Sequence, residues 1–139
     1  MVRNFLVCEA DFPNERNENI VDGGEPIPPG RELAEFLQTV LRDHTDKMSE
    51  VWNEEDYAWG FNCDWDRVAI NVQAGRVDDR WLLIFSIVSI VPRFLRSRKY
   101  EVALRNLCER VDLAVRTDSR FRDVRWCTRT EFEASNVEG

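Results

Sequence analysis

Large and small side chains alternate without a break through residues 57–65, YAWGFNCDW. Tyr57, Trp59, Phe61, Cys63 and Trp65 hold one parity, and Ala58, Gly60, Asn62 and Asp64 hold the other. Successive side chains of a strand point to opposite faces, so the pattern predicts a strand whose odd-numbered residues lie in a core. Residues 67–73, RVAINVQ, repeat the alternation with Val68, Ile70 and Val72. Residues 64–67 between them then form a tight hairpin turn, where Asp is favoured because it bonds its own backbone. Residues 74–79, AGRVDD, read as a second turn. Residues 81–89, WLLIFSIVS, are apolar at both parities, as a central strand covered on at least part of its second side should be. Residues 48–55, MSEVWNEE, add an expected strand at the start of this meander. Residues 4–9, NFLVCE, and the short stretch 122–128, RDVRWCT, supply strands near the two ends.

Two segments follow the helical period instead. In GRELAEFLQTVLRDH, Leu33, Phe36, Leu37, Val40 and Leu41 fall on one apolar face. Glu32 and Glu35 suit the positive N-terminal end of that helix, and Arg42 and His44 suit its negative end. A second helix is predicted over residues 100–115, where Tyr100, Ala103, Leu104, Leu107, Cys108, Val111, Ala114 and Val115 trace one face. Residues 11–30 are acidic and rich in Pro and Gly, and are expected to form a long loop with no regular element. Ile20, Val21 and Ile27 are candidates to pin it. The polar tail, EASNVEG, is expected to fray.

The order is β, loop, α, β-meander, α, β. It predicts an α+β two-layer sandwich: a mostly antiparallel meander sheet of about five strands with two amphipathic helices packed on one face. The 139 residues suit a single domain spanning 1–139, long enough to bury a core without a disulfide or metal.

Charge then narrows the function. With 26 acidic against 19 basic residues the chain carries −7, which repels nucleic acid and anionic membrane and attracts basic proteins. No apolar run approaches the ~20 residues that cross a bilayer, and the N-terminus lacks a secretory pattern, so a cytoplasmic location is expected. Cys8, Cys63, Cys108 and Cys127 are widely spaced with no CxxC pair, which reads as reduced thiols and not as a zinc site. His44 has no Ser or Cys neighbour, and no Gly-rich phosphate loop follows a strand, so neither catalysis nor a cofactor is expected.

Three charged groups are candidates for binding. The acidic group Glu54, Glu55, Asp56, Asp64 and Asp66 brackets the 57–65 strand. At ~3.3 Å per residue its two halves lie roughly 26 Å apart, too far to share a metal. Asp64 and Asp66 are the pair to consider for Mg²⁺ or Ca²⁺. The basic cluster Arg93, Arg96, Arg98 and Lys99 is expected to be solvated or paired within the chain. Trp52 lies among Glu50, Glu54 and Glu55, and an exposed Trp rimmed by acids has the composition of a binding hot spot. The expected partner-binding set is therefore Glu50, Trp52, Glu54, Glu55 and Asp56. The function it implies is a non-catalytic protein-binding module, of the immunity or inhibitor type, that neutralises a basic partner. The alternative is a small-ligand or divalent-metal-binding domain with its pocket between the sheet and the 11–30 loop.

Overall fold

The computed structural model describes residues 2–13, 17–22, 25–54 and 58–138. Its elements are β1 (Phe5–Ala10), β2 (Asn17–Asp22), β3 (Glu25–Ile27), α1 (Arg31–Arg42), β4 (Trp52–Glu54), β5 (Ala58–Trp65), β6 (Val68–Val77), β7 (Arg80–Ile87), α2 (Arg98–Thr117), β8 (Phe121–Cys127) and α3 (Arg129–Glu138). Six strands form one sheet in the order β4-β5-β6-β7-β1-β8, and every neighbouring pair is antiparallel. With three helices packed against it, the sheet makes an α+β sandwich. No described helix is long and apolar enough to cross a membrane.

The core lies between α1, α2 and one sheet face. Leu33, Leu37 and Leu41 of α1 and Leu107 and Val111 of α2 meet Leu6, Cys8, Phe61, Ile70, Val72, Trp81, Leu83 and Phe85 of the sheet. The alternation in residues 57–65 is realised with the expected parity: Phe61, Cys63 and Trp65 are buried, while Asn62 is exposed. Tyr57 lies outside the described residues. Burial of each large apolar side chain contributes about 1.5–3 kcal/mol, which enforces the parity over Phe61–Trp65, whereas Ala58 and Gly60 of the other parity are buried as well. Indole N–H groups taken inside find acceptors. Trp59 Nε1 donates to Pro28 O at 2.8 Å, Trp81 Nε1 to Ala10 O at 3.2 Å, and Trp126 Nε1 to Asp112 Oδ1 at 2.8 Å.

Four features differ from the sequence-based expectation, each for a local reason. The turn expected over residues 64–67 is confined to Asp66 and Arg67, with φ of 49° and 65°, because Asp64 and Trp65 still pair with Ala69 and Val68; the left-handed pair matches the twist of the strands. The second turn, however, is at Asp78–Asp79 and not spread over 74–79, because Ala74, Gly75, Arg76 and Val77 continue pairing in β6. Within residues 11–30 the chain forms a two-stranded sheet, β2 with β3. Asp22 pairs with Glu25 across Gly23-Gly24, and a Gly-Gly dipeptide between extended segments is a hairpin signal. Pro26 is tolerated there because a two-stranded sheet consists of edges.

The fourth difference is the tail. It is a helix, α3, and the hydrogen bonds at its start explain why. Thr128 Oγ1 accepts from Glu131 N at 3.1 Å, while Thr128 N donates to Glu131 Oε1 at 2.9 Å. This reciprocal capping box was legible as T-x-x-E in the sequence. Phe132 of α3 packs on Phe5 with ring centroids 5.7 Å apart. Phe5 alternates with the core residue Leu6, so α3 sits on the sheet face opposite α1 and α2. The second side of the sheet is thus partly covered, as residues 81–89 require.

Candidate functional site

The segment leading into β4 and β4 itself follow the outer edge of β5. Asp64 N donates to Lys47 O at 2.9 Å, Ser49 N to Asn62 O at 2.9 Å, and Asn62 N to Ser49 Oγ at 2.9 Å. Met48 bridges Cys63, and Trp52–Glu54 then pair with Gly60–Ala58. The buried Gln38 amide on α1 fixes this segment from inside, with Nε2 donating to Ser49 O at 2.8 Å. An edge strand leaves a row of backbone donors and acceptors unpaired on its outer side.

Of the expected partner-binding residues, the structure brings Trp52 and Glu54 together and leaves Glu50 exposed. Glu55 and Asp56 lie outside the described residues. Trp52 is half-buried, not the exposed anchor expected from its acidic neighbours. Its Nε1 donates to Glu54 Oε1 at 2.6 Å, and both residues share one face because they are two apart on a strand. Gly60 stands opposite Trp52 and makes room: a Cβ there would lie 3.3 Å from Glu54 Cγ and 2.8 Å from Val72 O. On the other face of β4, Asn53 Oδ1 is buried with no hydrogen-bond partner among the described residues.

Ion pairing divides the surface. At the β8 edge carboxylates meet arginines: Arg122 reaches Glu9 at 3.5 Å and Asp11 at 3.0 Å, Arg120 reaches Asp118 at 2.8 Å, and Arg3 reaches Glu131 at 3.2 Å. The Arg120 guanidinium, hydrogen-bonded to Asp118, holds that carboxyl down to about 2. Around the β4 edge and the turn after α1 the opposite holds. Asp43, Asp46, Glu50, Glu54 and Asp64 form no ion pair among the described residues.

The remaining candidates are dispersed. Asp66 Oδ2 accepts from Asn106 Nδ2 at 3.4 Å, and His44 is exposed beside the Trp65 ring. Among the described residues no group of three or more His, Cys, Asp or Glu is placed to hold a metal ion. Burial pushes the Cys8, Cys63 and Cys108 thiols up to about 12, which leaves them as neutral, inert groups.

In the connector after β7, Arg93, Arg98 and Lys99 are exposed, the solvated state that was one of the two expected for this cluster. Arg96 Nε donates to Val91 O at 3.0 Å and Lys99 sits over the Tyr100 ring, but Arg93 and Arg98 form no ion pair among the described residues. Glu101, in the first turn of α2, pairs with Arg105 at 3.3 Å. A groove of about 1120 Å³ opens between this connector and α3 over the second sheet face. The pocket expected between the sheet and residues 11–30 falls on a segment whose side chains lie largely outside the described residues. Leu82 and Ile84 at the floor of the groove were visible as the second apolar parity of residues 81–89; that α3 would wall it was not.

Comparison with known proteins gives no matching family model, no matching curated protein and no matching solved structure.

Proposed function

We propose that this protein is a non-catalytic, cytoplasmic binding protein of the immunity or inhibitor type that neutralises a basic protein partner through its β4 edge. One observation carries the reading. The carboxylates Asp43, Asp46, Glu50, Glu54 and Asp64 have no ion-pair partner among the described residues, while Glu9, Asp11, Asp118 and Glu131 around β8 are paired with arginines. Spread along one edge, from Glu54 to Asp64 at opposite ends of β5, unpaired like charges still repel one another at low ionic strength. A basic partner relieves that repulsion and is steered toward it during encounter. The half-buried Trp52, oriented by Glu54, offers an aromatic surface at the centre of the acidic edge. The free backbone of β4 offers a strand-pairing edge as well. A cytoplasmic location accords with four free cysteines in a reducing compartment.

The test is capture of partners at low salt, with elution by a salt ramp, comparing the native protein with an Asp46→Lys/Glu50→Lys variant. Both substituted residues are exposed, so the fold should be retained. A basic protein retained by the native chain, released at moderate salt and absent from the variant is the expected result. The same protein retained equally by both would remove the β4 edge as the docking surface.

A further inference from the structure

Leu82 and Ile84 of β7 alternate with the buried Trp81, Leu83 and Phe85, and therefore lie on the sheet face opposite α1 and α2. The solvated face of an antiparallel sheet ordinarily carries polar residues, as Asn71 and Gln73 do on neighbouring β6. α3 covers only part of this apolar strip, through Phe132 on Phe5. What is left is the groove of about 1120 Å³, with Phe5, Leu82 and Ile84 at its floor and Phe132 on its wall. Such a space accepts a drug-sized or larger ligand.

The groove is lined by Arg93, Arg96, Arg98 and Arg129 against Glu101 and Glu133, a cationic excess in a protein whose net charge is −7. Arg129 is neutralised by Glu133 at 2.9 Å. Arg93 and Arg98 are not neutralised by any described residue, and Arg96 commits only its Nε to the backbone. A guanidinium presents several donors in a planar fork that matches a carboxylate or phosphate. We propose that the groove binds an anionic amphiphile, its carboxylate or phosphate head held by Arg93, Arg96 and Arg98 and its apolar body laid over Leu82 and Ile84. The rim alone would suit any anion; the apolar floor selects one with a hydrocarbon body. This site is distinct from the β4 edge and does not depend on the function proposed for it.

Calorimetric titration with dodecyl phosphate below its micelle-forming concentration tests the site, with dodecyltrimethylammonium, inorganic phosphate and phosphatidylglycerol vesicles as parallel probes. Saturable binding of dodecyl phosphate is expected, about ten-fold or more tighter than the cationic amphiphile or free phosphate. Arg93→Ala/Arg98→Ala should weaken it about ten-fold. Ile84→Ser, with folding checked by thermal unfolding, should also weaken it. Asp46→Lys/Glu50→Lys should leave it unchanged, which separates this site from the acidic edge. Equal affinity for both amphiphiles, or unchanged affinity in the double arginine variant, would overturn the proposal. Binding to vesicles without binding of the monomeric probe would overturn it too. That outcome would assign the arginines to a lipid surface, together with Ile90, Phe94 and Leu95, which are 102%, 84% and 64% exposed on the same connector.

Discussion

A thiol inside an apolar core loses the hydration that stabilises its anion, and Cys8, Cys63 and Cys108 show the consequence as ionisation pushed from 9.0 up to about 12. Under native conditions at pH 8 these three should resist an alkylating reagent that modifies all of them once the chain is unfolded; mass spectrometry of quenched samples reads the difference. The sign of the stability effect follows from linkage. Below pH 9 the thiols are protonated in both states and the core keeps its full stability. Between about 9 and about 12 the unfolded chain releases protons that the folded chain retains, so stability falls as pH rises. Each thiol contributes a slope of up to about 1.4 kcal/mol per pH unit, measurable by urea unfolding across that window. Gly30 makes a second prediction at this scale. Its φ is +128°, and a Cβ there would stand 2.8 Å from Ala74 O. Gly30→Ala should cost ~1–3 kcal/mol in urea unfolding. The buried parity of Cys63 and Cys108 was legible in the periodicity. The strain at Gly30 was not, since it arises where the start of α1 is pressed against β6.

Elements were legible where one period ran for several residues with one face in the core, as in β5, β6, α1 and α2. They were missed where stability comes from a cap or a turn. α3 has a weak apolar face and depends on its start, where Thr128 and Glu131 satisfy each other's backbone donors. Replacing Thr128 with Ala should cost ~0.5–2 kcal/mol, and hydrogen exchange should quicken in α3 while α1 and α2 keep their protection. The β2–β3 pair was hidden in the same way, because its signal was Gly23-Gly24 and not a hydrophobic alternation. The turn expected over residues 74–79 is confined to the last two of them, and Gly75 is no breaker there. Inside the sheet it pairs with Ala58 and Leu82 as part of β6.

Over the whole molecule, charge is sorted by the fold. Thermal unfolding in ~10 mM salt, compared with ~150 mM, should show the melting temperature rising with salt as the repulsion among unpaired carboxylates is screened. Asp46→Lys/Glu50→Lys should raise the low-salt value and flatten the salt response; an unchanged response would mean that this edge carries no repulsive strain. The sequence alone determined the class of architecture, the two core helices, the core parity of the meander and the sign of the net charge. Each of these depends on the residue types in a window of a few turns or on a sum over the chain. Tertiary structure alone decided that β1 lies between β7 and β8, that Arg122 neutralises Glu9 and Asp11, and that Arg93 and Arg98 line a groove without an ion-pair partner among the described residues. Those outcomes join residues far apart in the chain. Local pattern does not choose among the long-range closures that packing and hydrogen bonding finally select.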